Sequence, residues 1–407
     1  MPEDGVNRCP FQPTNPVDLQ FFVGRQSLIE TIHRIAKNTF PDRIAALYLG
    51  GIPRIGKTSL ANYAKVGVEQ DFKPFGFHVL LEGNQGPENS EQFFQRIVTS
   101  MIEEKNSEPT IMTRIEKIFK HVILEVNVGV VKVNTQELQA SLPRNASSFY
   151  SFLYDFGNKL HIGSNKGFVL VLDEIDGVAN RPFFATFLKE LFDASALARK
   201  KVPLLLLICG TMEKFHAIKA NNPRAADLMK IIPLEVLTSK EVKSFFQKAF
   251  RSAGQDVEED ALETFVEFSN GMPQLMHLVG EATFCVAPRD RAISQEDACR
   301  GVAIAAEDYG RKFVNQRVQG LLDYDDYAAL FEHLCDPKTL LIFTRKDLIA
   351  KVGKAQAYHV DSLLKRLTAL KVIEKGDEPG EWKFIDPMVS VYLHMLKMKQ
   401  NCNWTRS

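Results

Sequence analysis

Residues 51–58 read Gly51-Ile-Pro-Arg-Ile-Gly56-Lys57-Thr58, and a continuously apolar run, 44–49, comes just before them. The stretch fits the pattern G-x-x-x-x-G-K-[S/T], in which a buried strand leads through a glycine-bounded loop into a helix. Glycines let backbone N–H groups converge on an anion, and the positive end of the following helix points at the same charge. The order of elements therefore predicts a parallel α/β sheet with a phosphate-binding loop after one strand.

Each position of this loop has a predicted role. Lys57 reaches the β- and γ-phosphates, and the hydroxyl of Thr58 suits a magnesium ion. A chance match in a chain of this length has a probability on the order of one per cent, so a plain glycine turn is a minor alternative. We expect the chain to bind a nucleoside triphosphate. The predicted phosphate-binding residues are Gly51, Ile52, Pro53, Arg54, Ile55, Gly56, Lys57, Thr58 and Ser59.

Composition narrows the class of protein further. A chain of 407 residues predicts two or three domains, and its 50 basic and 50 acidic side chains cancel, so no global field attracts nucleic acid or membrane. The six cysteines are scattered without a C-x-x-C pair, which indicates buried thiols in a reducing compartment rather than disulfides or a zinc site. With no apolar signal region and no apolar run long enough to span a bilayer, we expect a cytoplasmic protein without membrane contact.

Continuous apolar runs predict the strands of the core. They lie at 44–49, 77–81, 168–172, 202–209 and 231–236, and helical patterns separate them. Runs that are apolar throughout are typical of strands covered on both faces, so the succession implies a three-layer α/β core with a parallel sheet. A valine-rich segment at 121–136 predicts a two-stranded hairpin, to which no function is assigned.

After residue 237 the strand patterns stop. Thr238 with Glu241, and Ser294 with Asp297, form capping boxes that open helices of a bundle. Three short helical patterns and a closing hairpin follow, which together predict a winged helix-turn-helix. The predicted domains are an ATPase-like core over 1–237, a helical lid over 238–320, a winged-helix domain over 321–398 and a loose tail over 399–407.

A second motif supplies carboxylates. The apolar run 168–172 ends in Asp173 and Glu174. Asp173 is placed to complete the magnesium site, and Glu174 to polarise a water molecule for attack on the γ-phosphate. The alternative is a strand that ends in a solvated acidic turn, which the nearby phosphate loop makes the minor interpretation. Asp176 is interpreted as a surface or capping acid.

Three further residues have two open interpretations each. Thr211 follows the run 202–209 and either senses the γ-phosphate or caps the next helix. Arg224 comes before the last core strand and is either an arginine finger for the nucleotide of a neighbouring subunit or a solvated surface residue. Arg199 is a weaker candidate for the same finger.

The motifs along the chain resemble those of the archaeal-type ATPases, in the signal-transducing (STAND) branch of the AAA+ P-loop ATPases. The resemblance covers nearly the whole chain and implies ATP with Mg²⁺, closure of the lid on nucleotide, and oligomers in some members. It also implies an adenine pocket formed by Val23, Gly24, Arg25 and Pro273. In chain order it rests on Cys9-Pro-Phe-Gln-Pro-x-x-Pro-Val17, Phe22-Val-Gly24-Arg25, Pro53-Arg-Ile-Gly-Lys-Thr-Ser-Leu60, Leu172-Asp-Glu-Ile-Asp176, Arg224, Pro233-Leu234, Gly271-Met-Pro273 and Phe384-Ile-Asp-Pro387.

One position departs from the related origin-recognition-like initiators, which carry an arginine shortly after the lid glycine. Gln274 occupies that place here. The departure argues against an initiator and favours slow turnover, with ATP acting as a conformational switch. A chain that holds nucleotide without hydrolysing it is a further alternative.

The predicted winged helix raises the question of DNA. Residues 338–375 carry nine Lys and Arg against three Asp and Glu, and Lys365 and Arg366 flank the apolar stripe of the third helix. Asp377 and Glu378 in the wing turn would repel phosphate. Two functions therefore stay open: a switch protein that assembles as a homo-oligomer or acts on a separate effector chain, and a DNA-binding AAA+ ATPase that recruits partners.

Overall fold

The structure is a computed structural model that groups the chain into two compact units, each described here by itself. The sheet unit is Gly24–Glu235, and the helical unit combines Met1–Val23 with Val236–Ser407. The four predicted domains stay a prediction. The residues that the structure describes are 9–14, 16–81, 86–104, 123–127, 130–133, 143–160, 167–315, 318, 327, 330, 334, 342–376, 380–385 and 387–402.

A five-stranded sheet forms the centre of the sheet unit, in the order β2-β5-β6-β1-β7. All of its pairs are parallel, as the continuously apolar runs predict, and every residue of β5 and β6 is buried. The predicted strands are confirmed, with ends displaced by up to three residues. Their bounds are β1 (Ile44–Gly50), β2 (Phe75–Leu80), β5 (Phe168–Asp173), β6 (Leu204–Gly210) and β7 (Met229–Pro233).

Helices follow the strands along the sheet unit, which gives the predicted α/β succession. The valine-rich segment forms a separate antiparallel pair, β3 (Ile123–Asn127) and β4 (Val130–Val133), so the predicted hairpin is confirmed. The helices are α1 (Gln26–Thr39), α2 (Lys57–Phe72), α3 (Ser90–Glu104), α4 (Ala146–Leu160), α5 (Pro182–Leu197), α6 (Met212–Asn221) and α7 (Pro223–Asp227).

The helical unit begins its bundle where the capping sequences place it. Thr238 and Glu241 form a complete capping box, and so do Ser294 and Asp297, each with both reciprocal hydrogen bonds. Since a capping box satisfies N–H groups that a helix start leaves without partners, both starts are set by local sequence. The helices are α8 (Ser239–Ser252), α9 (Glu259–Ser269), α10 (Pro273–Val286) and α11 (Gln295–Tyr309), the last continuing as a π-turn over Gly310–Val314.

The C-terminal part of the helical unit contains a three-stranded antiparallel sheet in the order β8-β10-β9. Thr344 caps the helix that begins at Arg345, because its Oγ1 accepts the N–H of Asp347 at 3.1 Å. The wing residues Asp377 and Glu378 lie outside the described residues, as does most of the helix predicted around 324–334. The elements are β8 (Ile342–Thr344), α12 (Arg345–Val352), α13 (Ala357–Ala369), β9 (Ile373–Lys375), β10 (Glu381–Phe384) and α14 (Pro387–Cys402).

Helix α14 extends to Cys402 and so enters the segment predicted as a loose tail. Residues 403–407 lie outside the described residues. No helix within the described ranges combines the length and the apolarity that a membrane crossing requires.

Candidate functional site

The phosphate loop connects the end of β1 to the start of α2, at the carboxyl edge of the central sheet. Two backbone bonds fix its first residues between the flanking strands. The N–H of Gly51 donates to the carbonyl of Gly210 at 3.2 Å, and the N–H of Leu234 donates to the carbonyl of Gly50 at 2.7 Å. The loop therefore starts from a rigid position in the middle of the sheet, where ligands of open α/β sheets bind.

Glycine is required at both ends of the loop for different reasons. At Gly56 the backbone has φ 87°, a left-handed conformation that strains other residues. At Gly51 an added Cβ would lie 2.9 Å from Cγ2 of Ile55 and 3.2 Å from the carbonyl oxygen of Leu234. The two glycines thus allow the tight turn that the sequence pattern predicts.

The side chain of Lys57 folds back across the loop. Its Nζ donates to the carbonyl oxygen of Gly51 at 3.2 Å and to that of Ile52 at 2.9 Å. Burial lowers the pKa of Lys57, and the charge of Arg25 adds to this effect. A phosphate group would offer this ammonium stronger, charged acceptors than the two carbonyls, which is the interaction that the pattern predicts.

Arg25 braces the loop from outside. Its Nη1 donates to the carbonyl oxygen of Gly56 at 3.1 Å, and its Nη2 donates to that of Ile55. Gly24 and Arg25 both have positive φ, which turns the chain sharply into α1. The family resemblance implies an adenine contact for these residues. The bracing contact is one that the sequence did not predict.

Asp173 lies at the end of β5 and is 2% exposed. Burial by itself raises the pKa of its carboxyl group. Contacts with the side chains of His78 and Thr58 and with the N–H of Glu174 outweigh that effect and hold the pKa below its usual value. The carboxylate is therefore ionised at neutral pH. Thr58 and Asp173, the two predicted magnesium ligands, are brought together.

This pair of oxygen donors fits a magnesium ion. Oδ1 of Asp173 accepts the N–H of Glu174 at 2.9 Å, whereas Oδ2 is buried and accepts no hydrogen bond. A buried carboxylate oxygen without such a donor is costly, and a hard cation would satisfy it. Among the described residues, no three His, Cys, Asp or Glu side chains could hold a metal by themselves. An ion here would depend on Thr58, Asp173 and the phosphates of a bound nucleotide.

Glu174 leaves the strand in a strained conformation. It has φ 51° and ψ 48°, in the left-handed region, and its side chain is exposed. For a residue other than glycine, this conformation costs on the order of 1 kcal/mol and is common at functional sites. The carboxylate is presented at the same sheet edge as the loop, as its predicted role requires.

Thr211 forms the cap of α6. Its Oγ1 accepts the N–H of Lys214 at 3.4 Å, and its carbonyl oxygen accepts the hydroxyl of Tyr48 at 2.6 Å. Of its two open interpretations, the cap is the one with a contact in the structure. Arg224, on the short helix α7, and Arg199 are exposed, and their finger roles stay predictions. Val23 and Pro273 belong to the helical unit, so the adenine pocket also stays a prediction.

One polar residue of the site was missed from the sequence. His78, on β2, has its Nδ1 2.7 Å from Oδ1 of Asn62 and its Nε2 3.3 Å from Oδ2 of Asp173. The available signal was a histidine inside an otherwise apolar strand. Its partners are far away in the sequence, so only the pairing of β2 with β5 shows what it contacts.

The basic residues predicted to contact DNA lie on α13 of the helical unit. Lys365 and Arg366 are exposed on α13, and the guanidinium of Arg366 lies 5.5 Å from the ring centre of Tyr327. Tyr358, on the same helix, is 78% exposed. Arg345 is paired with Asp361, one of the three acids in the sequence count, so these two residues add no net positive charge to the segment.

Comparisons with solved structures place the fold. The Walker-type ATPase of Pyrococcus abyssi is 17% identical, with a TM-score of 0.53, covering 91% of this chain and 96% of the other. The ORC2 protein of Aeropyrum pernix, in ADPNP and ADP complexes, is 14% identical, also at 0.53, covering 92% and 95%. No protein-family model and no curated protein matches the sequence. The chain thus has the parallel-sheet α/β fold of P-loop ATPases of the origin-recognition type.

Proposed function

We propose that this chain is an ATP-binding, slowly ATP-hydrolysing switch protein of the AAA+ class, in its signal-transducing branch. The observation that carries the proposal is the pair of Thr58 and the buried Asp173 at the mouth of the loop. Asp173 presents a carboxylate oxygen that accepts no hydrogen bond, and the Thr58 hydroxyl lies against the same carboxylate. Two oxygen donors beside an anion-binding loop suit a nucleotide bound with Mg²⁺.

Each residue of the site has a separate role in the proposed reaction. The loop N–H groups and Nζ of Lys57 bind the β- and γ-phosphates, and Thr58 with Asp173 would hold Mg²⁺. When bound, the ion neutralises charge that develops on the phosphates. Glu174 accepts a proton from the attacking water while the bond between the γ-phosphorus and the bridging oxygen breaks. The products are ADP and inorganic phosphate.

The switch role rests on the absence of an arginine where the initiators have one. Gln274, second residue of α10, cannot supply the positive charge that would stabilise the reacting phosphate. Slow turnover leaves ATP bound long enough to select one domain arrangement over another. We propose a cytoplasmic protein whose ATP state controls assembly of a homo-oligomer or contact with an effector chain.

Variants of two site residues test this function. Lys57→Ala should weaken ATP binding at least a hundredfold, since the loop loses the ammonium that the pattern directs at the β- and γ-phosphates, while Lys219→Ala, an exposed lysine on α6, should leave it unchanged. Glu174→Gln should keep ATP binding and lower turnover 100-fold or more. Retained affinity in Lys57→Ala contradicts the site assignment. A wild type without turnover that Glu174→Gln leaves unchanged identifies a chain that only holds nucleotide.

DNA binding is the second candidate function. The exposed face of α13 favours it, because Lys365 and Arg366 lie there with the solvent-exposed ring of Tyr358. Together with β8, β9 and β10, the helices α12 and α13 have the order of elements of a winged helix, which we propose for this segment. The ion pair between Arg345 and Asp361 and the neutral net charge of the chain favour a packing role instead.

A further inference from the structure

We propose that His78 is a positioning residue for the metal site: it fixes the Asp173 carboxylate in the orientation that Mg²⁺ binding requires. This inference rests on the proposed function, because it concerns the same magnesium ion. It adds a residue on β2, a strand that neither the phosphate-loop pattern nor the acidic motif includes.

The pairing of two strands brings His78 to the carboxylate. In the register of β2 with β5, His78 is opposite Val171, and Leu80 is opposite Asp173. Since side chains alternate along a strand, Val171 and Asp173 are on the same face of β5. His78 is on that face of the sheet as well, two residues before the position on β2 that is opposite Asp173. The imidazole therefore approaches Asp173 from the neighbouring strand, with Nε2 3.3 Å from Oδ2.

Helix α2 holds the other side of the imidazole. Oδ1 of Asn62 lies 2.7 Å from Nδ1 of His78, and Thr58, four residues before Asn62, contacts the carboxylate itself. Residues four apart on a helix lie on the same face, so one face of α2 supplies both the hydroxyl and the histidine anchor. Polar contacts therefore run from Thr58 to Asp173, from Asp173 to His78 and from His78 to Asn62, which returns the series to helix α2.

These contacts favour one orientation of the Asp173 carboxylate. The N–H of Glu174 donates to Oδ1, and His78 flanks Oδ2 without completing a hydrogen bond to it. A partial rotation of the carboxylate about its Cβ–Cγ bond would carry both oxygens away from these positions. An Nε2–H directed at Oδ2 opposes that rotation by its attraction for the carboxylate, while the oxygen keeps a lone pair for a cation. Partners of this kind behind a metal ligand typically change metal affinity 10- to 100-fold when they are removed.

The test compares nucleotide binding with and without the metal. We would titrate Mg²⁺ into the protein bound to a fluorescent ATP analogue, and separately measure affinity for the analogue in EDTA. His78→Phe keeps a planar ring but removes both nitrogens, and it should weaken Mg²⁺ binding about 10- to 100-fold. Affinity in EDTA should stay within about threefold, because the proposed role of His78 acts on the metal through Asp173. Mn²⁺, followed by its free-ion resonance signal, gives a second measure of metal affinity.

Two further variants separate positioning from packing. His78→Gln retains an amide donor that can reach Oδ2 and should recover most of the Mg²⁺ affinity that His78→Phe loses. Asn62→Ala should weaken Mg²⁺ binding in the same direction but less, and adding it to His78→Phe should have little further effect, since both act through one contact. His216→Phe, at an exposed histidine on α6, is the matched control and should behave as the wild type.

Each outcome decides the matter. Unchanged Mg²⁺ affinity in His78→Phe overturns the inference, and so does an equal loss of affinity in EDTA, which would reveal a structural role. If the wild type binds the ATP analogue no better with Mg²⁺ than in EDTA, the proposed function itself fails. If the wild type binds the analogue more tightly with Mg²⁺ than in EDTA, and His78→Phe has the same Mg²⁺ affinity as the wild type, only the inference about His78 fails.

Discussion

Arg25 is the residue at which the sequence and the structure lead to different roles. The family resemblance implies contact with adenine, whereas its guanidinium donates to the carbonyl oxygens of Gly56 and Ile55. Hydrogen bonds from a charged donor are worth about 1.5–3 kcal/mol, so this contact is strong enough to hold the shape of the loop. If Arg25 holds the shape of the loop, it contributes to phosphate binding. If it contacts the base, it contributes to adenine binding.

Arg25→Ala separates these roles. Because the bracing contact maintains the anion-binding conformation, the variant should bind ATP and inorganic triphosphate more weakly by the same factor, about 10-fold. Arg43→Ala, at an exposed arginine before β1, serves as the control. Competition against a fluorescent ATP analogue measures both ligands. A loss confined to ATP, with triphosphate unaffected, would restore the adenine role.

The predicted site residues that the structure brings together belong to contiguous patterns. Gly51 to Thr58 form one such pattern, and Asp173 with Glu174 ends a run of apolar residues. Each pattern combines a strand end with a fixed set of side chains, so local sequence was sufficient. His78 and Arg25 act through partners 95 and 31 positions away, by the numbers of Asp173 and Gly56. Such contacts depend on strand register and loop closure, which single-sequence patterns do not determine.

At the scale of elements, the N-terminal segment (residues 9–14 and 16–23) is the least expected feature. The ring of Phe11 is 2% exposed and lies 4.9 Å from that of Phe250 on α8. A Cβ on Gly280 of α10 would lie 2.2 Å from the Phe11 ring, so glycine there is needed for the ring to fit. This segment has no apolar periodicity in the sequence and carries only the first motif of the family resemblance. Capping boxes, by contrast, predicted the starts of α8 and α11.

His277 makes the docking of this segment sensitive to pH. Its Nδ1 accepts the N–H of Gln12 at 3.0 Å, and burial lowers its pKa to about 4, against the opposing charge of Asp18. Unfolded, the imidazole has a pKa of about 6.5, so between pH 6.5 and 4 the unfolded state binds more protons. The free energy of unfolding should therefore fall by up to about 3 kcal/mol as the pH drops through that range.

The measurement is urea unfolding of wild type and His277→Gln at pH 7 and pH 4.5. Glutamine can accept the same N–H but does not titrate, so the variant should lose less stability on acidification than the wild type does. Comparing the change with pH within each protein removes the constant cost of the substitution. Equal acid sensitivity in the two proteins would assign the effect to groups other than His277.

At the scale of the whole molecule, the sequence patterns predicted the order of strands and helices better than the boundaries between the two units. Continuous apolar runs predicted all five parallel strands. The clearest are β5 and β6, because strands buried on both faces are apolar along nearly their whole length. Chain order alone could not show that Met1–Val23 groups with the C-terminal half, since that grouping depends on contacts between distant residues such as Phe11 and Phe250. Elements are set locally, and their grouping is set by tertiary packing.

Removing positive charge from α13 tests whether the protein binds DNA. A contact between a lysine or arginine and a phosphate releases counterions, so each lost contact lowers the slope of log affinity against log salt by about 0.9. If α13 packs against protein, as the switch proposal expects, the double variant Lys365→Ala/Arg366→Ala will show the same DNA affinity and salt slope as the wild type. Lys240→Ala/Lys248→Ala removes the same charge from exposed positions on α8 and controls for non-specific attraction. A slope lower by about two in the α13 variant alone would favour the DNA-binding ATPase.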